Sequence, residues 1–176
     1  MKTILISIRP EWVAKILNGE KTVEIRKSIP KCDLPIDVYI YCTKDKKYAN
    51  LINRGGFLTG MVVAKFTLNE ITKFDFVFYS DRQVGSYVHD DNTEIEIKKT
   101  CLGLQELFDY IQFGSGYEWH IDNLEIFDVP KELSDFKVKH YPQFAGFVKN
   151  TTHYELQTLI KAPQSWRYVE IWKNMN

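Results

Sequence analysis

Two neighbouring segments alternate apolar and polar residues so regularly that they constrain the fold more than any other feature. In Gly60–Leu68 the apolar residues Val62, Ala64 and Phe66 fall on one side, and in Ile71–Tyr79 phenylalanine recurs at every second position. A period of two is typical of a β-strand with one buried face. These segments therefore predict a pair of long strands of the kind found in a small barrel.

The rest of the chain predicts further short strands and a few short helices. A helix begins at Pro10, which suits a first helical position, and ends at the stop signal Asn18-Gly19. Strands are predicted at Thr3–Ile8, Thr22–Lys27, Asp37–Cys42, Thr93–Ile97 and Tyr117–Val129, and helices at Leu104–Ile111, capped by Thr100, and at Tyr154–Ile160. This pattern predicts a mixed α+β but mainly β fold, a small β-barrel flanked by short helices.

Ionisable residues cluster where the first helix turns into the second strand. Along that strand Thr22, Glu24 and Arg26 point to one face, because successive side chains alternate. Lys21 can contact Glu24 only if it lies in the turn before the strand, and we predict that it lies there. The alternative is a surface strand whose charges pair only with neighbours, at about 0–1 kcal/mol per pair.

Composition limits the classes of protein that the chain could represent. The 176 residues suffice for one domain, the net charge is zero, and no apolar run approaches the ~18 residues of a membrane helix. The three cysteines are widely spaced, and the four histidines lack ligand spacing. We therefore predict a cytoplasmic chain with no membrane partner, no metal site and no cofactor.

Four segments carry a family resemblance through their order and spacing. They are Ser-Ile-Arg-Pro at 7–10, Gly-Glu-Lys-Thr-Val-Glu-Ile-Arg at 19–26, Gly-Tyr-Glu-Trp-His at 116–120 and Pro-Gln-Ser-Trp-Arg-Tyr-Val at 163–169. Together they resemble the ASCH domain, a branch of the PUA-like superfamily, in the form often met in phages and the bacteria living with them. The resemblance implies a single PUA-like domain over residues 1–176, with an insertion around 80–115.

The resemblance implies binding of RNA, a nucleotide or a nucleoside in a charged cleft lined by Lys21, Glu24 and Arg26. Arginine can contact a phosphate or a base edge with two hydrogen bonds, a carboxylate can accept from an exocyclic amine, and aromatic rings can stack on bases. The predicted ligand-binding residues are Arg9, Thr22, Arg26, Lys27, Trp119, His120, Gln164, Ser165, Trp166 and Tyr168.

The sequence leaves two other functions open. Some ASCH members are similar in the lysine motif and are amidohydrolases of acetylated cytidine, which use a Lys, a Thr three residues later and a distant Glu. Here Lys21 and Glu24 stand at the first two positions, as the candidate catalytic pair, and Glu70 is the natural candidate for the third. A carboxylate cannot replace the activated hydroxyl without a different intermediate. The second alternative is a phage-type protein-interaction module.

Overall fold

A computed structural model describes residues 2–45, 59–79, 84–90, 95–141 and 154–171. In these ranges the helices are α1 (Pro10–Leu17), α2 (Ile97–Thr100) and α3 (Leu104–Ile111), with a 3-10 turn at Leu133–Asp135. The strands are β1 (Thr3–Ile8), β2 (Val23–Arg26), β3 (Ile36–Cys42), β4 (Val62–Leu68), β5 (Ile71–Tyr79), β6 (Val84–His89), β7 (Ser115–His120), β8 (Asp122–Lys131), β9 (Phe136–His140), β10 (Glu155–Thr158) and β11 (Trp166–Ile171). The prediction of a mainly β chain is confirmed.

The strands form two sheets, and the residues cluster into two compact units. The first unit comprises Met1–Pro10, Ile36–Lys65 and Glu125–Asn176, and the second comprises Glu11–Pro35 and Phe66–Leu124. The strand order is β10-β9-β11-β1-β3-β4-β8 in one sheet and β2-β7-β5-β6 in the other. Among the described residues neither sheet closes on itself, so the predicted barrel is not confirmed.

The first unit is organised around β1. This strand pairs in parallel with β3 and antiparallel with β11, and its residues 4–8 are buried. A strand buried on both faces is a near-continuous apolar run, as Thr-Ile-Leu-Ile-Ser-Ile is. Ser7 fixes the segment before β11, because its N–H donates to the Ser165 carbonyl at 2.8 Å and its hydroxyl donates to the Pro163 carbonyl at 2.6 Å.

The second unit buries one face of its four-stranded sheet. That face carries an apolar cluster made of Val23, Ile25, Phe74, Tyr87, Ile95, Leu107 and Ile111. A Cβ added at Gly116 would lie 2.2 Å from the tip of the Phe74 ring, which faces it across the strand pair. The ring therefore covers the strand where glycine leaves room for it.

Several predictions of secondary structure are wrong, and in the first of them pairing with a distant strand decides the outcome. Residues 155–158, predicted helical, form β10 because they pair with β9. Ile97, predicted in a strand, begins α2 instead. The predicted strand Tyr117–Val129, whose alternation slips near Asp122-Asn123 as at a bulge, is divided in two at Ile121, and Asn123 has a φ of 46°. Thr100 does not cap α3, because the cap residue is Gly103. The Thr100 hydroxyl donates instead to the Ile97 carbonyl at 2.7 Å.

The contact between Gly116 and Phe74 gives a stability prediction. We expect Gly116→Ala to lower the free energy of unfolding by about 1–3 kcal/mol, because the new methyl group meets the ring. Gly114→Ala is the matched control, since a Cβ there meets only the Ile111 carbonyl oxygen, at 3.4 Å. Urea denaturation of both variants measures the difference. Equal losses in the two variants would contradict the steric explanation.

Candidate functional site

The turn between α1 and β2 places Lys21 beside the first residues of the strand. Gly19 has a φ of 79°, a left-handed conformation that glycine adopts without strain. The Gly19 N–H donates to the Ile16 carbonyl at 3.0 Å, and the Lys21 N–H donates to the Lys15 carbonyl at 2.8 Å. The helix therefore ends in a closed turn. Lys21 lies ahead of β2, in the turn where the sequence predicts it.

The ammonium group of Lys21 is enclosed by hydrogen-bond acceptors. It donates to the carbonyls of Val23 at 2.8 Å and Thr100 at 2.6 Å, and lies 3.2 Å from Glu24 Oε2. These three acceptors match the three N–H bonds of a charged lysine. The residue is only 2% exposed, and its Nζ lies 5.7 Å from the centroid of the Trp12 ring. Lys21 therefore links the turn, the start of β2 and the end of α2.

Glu24 is shared between two cations. Its Oε1 lies 3.0 Å from Arg26 Nη2, while its Oε2 contacts Lys21. The Glu24 and Arg26 side chains are 11% and 9% exposed. The three charged groups thus form one continuous buried network, in which the carboxylate orients the guanidinium. Thr22, on the same strand edge, is exposed, and its N–H donates to the Lys99 carbonyl.

Arg26 begins a row of polar residues that crosses three strands. It lies opposite Tyr117 on β7, which in turn lies opposite Lys73 on β5. Residues directly opposite each other share a face of the sheet, with Cβ atoms about 4.5–5.5 Å apart. Arg26 is buried, Tyr117 is half-buried, and the Lys73 side chain is 42% exposed. Exposure therefore increases along the row from β2 to β5.

Lys73 is held in place by Asp75, two residues further along β5. Their charged groups lie 2.5 Å apart, and this hydrogen bond is the main reason that the pKa of Lys73 is raised. Hydrogen bonds from Lys73 and from Ser115 lower the pKa of Asp75. Sequence reasoning missed Lys73 and Tyr117, although the alternation with Phe74 and Phe76 already places Lys73 on the polar face of β5.

The other predicted residues of the second unit differ widely in exposure. Trp119 is completely buried, so in this arrangement its ring offers no face to a base from solution. His120 is half-buried, and its Nε2 lies 3.0 Å from the Thr72 hydroxyl. Lys27 is exposed, with Nζ 4.9 Å from the centroid of the Tyr110 ring. Glu70 is also exposed, and its carbonyl accepts from the His120 N–H.

The remaining predicted residues belong to the first unit. Arg9 and Gln164 are exposed, Ser165 is half-buried, and the Ser165 carbonyl accepts the hydrogen bond from Ser7. Trp166 and Tyr168 pack edge to face, with ring centroids 5.7 Å apart, and Tyr168 remains 38% exposed. Tyr168 is thus the more accessible of these two rings.

The described residues form a mainly β protein with a buried charged network next to a polar sheet surface. No helix among these residues is long and apolar enough to cross a membrane. A family model for the ASCH domain matches residues 6–131, so the chain belongs to the ASCH domain family. No curated protein matches the chain.

Solved structures of ASCH from Zymomonas mobilis share the fold. The unsubstituted protein is 21% identical, with a TM-score of 0.52, and the match covers 75% of this chain and 74% of that one. A variant with tyrosine replaced by phenylalanine is also 21% identical, with a TM-score of 0.52, and the match covers 76% of this chain and 77% of that one. A variant with serine replaced by alanine is 19% identical, with a TM-score of 0.58 over 96% of this chain and 89% of the other.

The buried network gives a second prediction. We expect Lys21→Met to lower the free energy of unfolding by about 3–5 kcal/mol, because Glu24 and two carbonyls lose the buried cation between them. The control is Lys99→Met, which removes an exposed lysine that pairs with Glu96 on the surface and should cost about 0–1 kcal/mol. Urea denaturation followed by circular dichroism compares the two. Similar losses in the two variants would show that Lys21 contributes no more to stability than a surface lysine does.

Proposed function

We propose that this chain is an RNA- or nucleotide-binding member of the ASCH domain family, and that it binds through the charged surface of β2, β7 and β5. In this proposal Arg26 and Lys73 contact phosphates, with help from the exposed Thr22. Tyr117 stacks on a base, and Glu24 orients Arg26. We take the chain as one PUA-like domain of barrel type with an insertion around residues 80–115.

The observation that carries the proposal is the register Arg26–Tyr117–Lys73. It places an aromatic ring between two cations on one face of a sheet. Proteins that bind single-stranded nucleic acid combine cations for the backbone with aromatic rings on which bases stack. The inner cation of this row is fixed by the Glu24 ion pair, which reduces the entropy lost when a ligand binds.

The geometry of Lys21 disfavours the amidohydrolase alternative. A general base must present an unprotonated nitrogen to its substrate. Lys21 instead directs its N–H bonds at two carbonyls and a carboxylate, and the residue is only 2% exposed, so its nitrogen is not presented to a substrate. We therefore assign Lys21 to the framework of the site and propose binding without catalysis.

Fluorescence anisotropy with single-stranded RNA oligomers, measured over a range of salt concentrations, tests the proposal. We expect Lys73→Ala to weaken binding and to reduce the salt slope by about 0.7, the value for one phosphate contact on a single strand. Tyr117→Ala should cost about 1–3 kcal/mol of binding energy, whereas Tyr117→Phe keeps the ring and should bind nearly as well as the native chain.

The control for charge is Lys98→Ala, which removes an exposed lysine from the same unit. If Lys98→Ala and Lys73→Ala weaken binding equally, attraction is general and the row is not the binding surface. Release of acetate from N4-acetylcytidine by the native chain would favour the hydrolase. Capture of a protein partner without any RNA binding would favour the interaction module.

A further inference from the structure

The sheet of the first unit opens between two neighbouring strands. Strand β9 pairs with β10 over four residues, but its described register with β11 covers only Lys137 opposite Glu170 and Phe136 opposite Ile171. Beyond Lys137, Lys139 of β9 and Tyr141 just after the strand line one side of a pocket, and Arg167 to Glu170 of β11 line the other. The pocket therefore occupies a fork where two adjacent strands separate.

The fork encloses a pocket of about 460 Å³. Small-molecule pockets typically measure about 300–1,000 Å³. Lys139 and Tyr141 line one side, Arg167 to Glu170 line the other, and Thr3 of β1 and the preceding Lys2 complete it. Val169, which is 4% exposed, is the one aliphatic residue in this lining. All of these residues lie outside the segment 6–131 that matches the ASCH family model.

The lining combines positive charge with aromatic rings. Lys2, Lys139 and Arg167 supply three cations against the single carboxylate of Glu170. Lys139 lies 3.4 Å from that carboxylate, so Lys2 and Arg167 give the lining its positive excess. Lys2 Nζ also lies 5.6 Å from the centroid of the Tyr168 ring.

A tyrosine stands on each side of the fork. Tyr141 is 53% exposed and Tyr168 is 38% exposed, so both rings present surface to solvent. Tyr141 packs against Tyr154 with centroids 6.0 Å apart, and Lys139 Nζ lies 4.3 Å from the Tyr154 ring. Tyr168 therefore stands beside Lys2, and Tyr141 packs against the ring that Lys139 contacts. A planar ring between the strands could stack on either tyrosine with a cation within reach.

We propose that this pocket binds a nucleotide, either free or as an unpaired residue of an RNA strand. Arg167 and Lys2 bind its phosphate, Tyr168 or Tyr141 stacks on its base, and Glu170 accepts a hydrogen bond from an exocyclic amine. A peptide strand added to the open edge would bind mainly through its backbone and would not need this charge. The pocket belongs to the first unit and the row on β2, β7 and β5 to the second, and the function proposed for the pocket does not depend on that row.

Isothermal titration calorimetry with the four ribonucleoside monophosphates, the matching nucleosides, inorganic phosphate and a short single-stranded RNA tests the proposal. We expect the monophosphates to bind more tightly than either nucleosides or phosphate alone. Arg167→Ala should weaken that binding roughly tenfold, as the loss of a charged hydrogen bond does. Tyr168→Ala should weaken it to a similar degree, while Tyr168→Phe keeps the ring and the affinity. Lys161→Ala, an exposed lysine of the same unit, is the control.

Comparing the monophosphates with the RNA distinguishes a site for a free nucleotide from a site for a residue of an RNA strand. Binding of monophosphates with the expected losses supports a site for free nucleotides, and binding of the RNA alone with the same losses supports a site for a strand. If inorganic phosphate binds as tightly as any nucleotide, or if neither Arg167→Ala nor Tyr168→Ala weakens binding more than Lys161→Ala, the proposal is wrong. If RNA binding is lost in Lys73→Ala but unchanged in Arg167→Ala, the proposal for the pocket is also wrong. That result would support the row on β2, β7 and β5 as the binding surface.

Discussion

The second unit depends on one buried ammonium group. Lys21 joins three parts of the chain, because its acceptors are the Val23 carbonyl in β2, the Glu24 carboxylate and the Thr100 carbonyl 79 residues later in sequence. Removing an ion of this size from water costs several kcal/mol, so each acceptor must hold its position for the charge to be tolerated. The turn, the first strand of the sheet and the end of α2 therefore constrain one another, and through Glu24 they also fix the guanidinium of Arg26.

Local signals were enough to predict part of this arrangement. The Asn18-Gly19 stop and the alternation in residues 22–26 placed Lys21 in the turn and Glu24 with Arg26 on one face, because both follow from neighbouring residues. The Thr100 carbonyl could not be predicted in the same way. It is a backbone group that no side-chain pattern marks, and its distance from Lys21 in sequence hides the contact. The row through Tyr117 to Lys73 was missed for a related reason, since strand register depends on pairing between distant segments.

Burial was harder to predict than strand direction. Trp119 lies opposite Glu24 in the register and is completely buried, whereas Tyr117, two residues earlier on the same face, is half-buried. Alternation identifies the face of a strand but not how far the cover over that face extends. For this reason the buried Trp119 is predicted to bind a ligand while the more exposed Tyr117 is not. The same limit applies to residues 155–158. They form a strand only because β9 offers a partner, and tertiary pairing of this kind outweighs local propensity.

The two candidate surfaces would recognise a ligand by different physical means. In the row on β2, β7 and β5 the guanidinium of Arg26 is already buried and oriented, so a ligand would meet a fixed donor and lose little side-chain entropy. In the fork between β9 and β11 the cations are exposed side chains that must be ordered on binding, which costs about 0.5–1.5 kcal/mol for each one. The fork compensates with concavity, because a base between its two tyrosines would lose more water-exposed surface than one lying on an open sheet. Recognition at the row should therefore depend on the geometry of one arginine, and recognition at the fork on the shape of the ring that enters it.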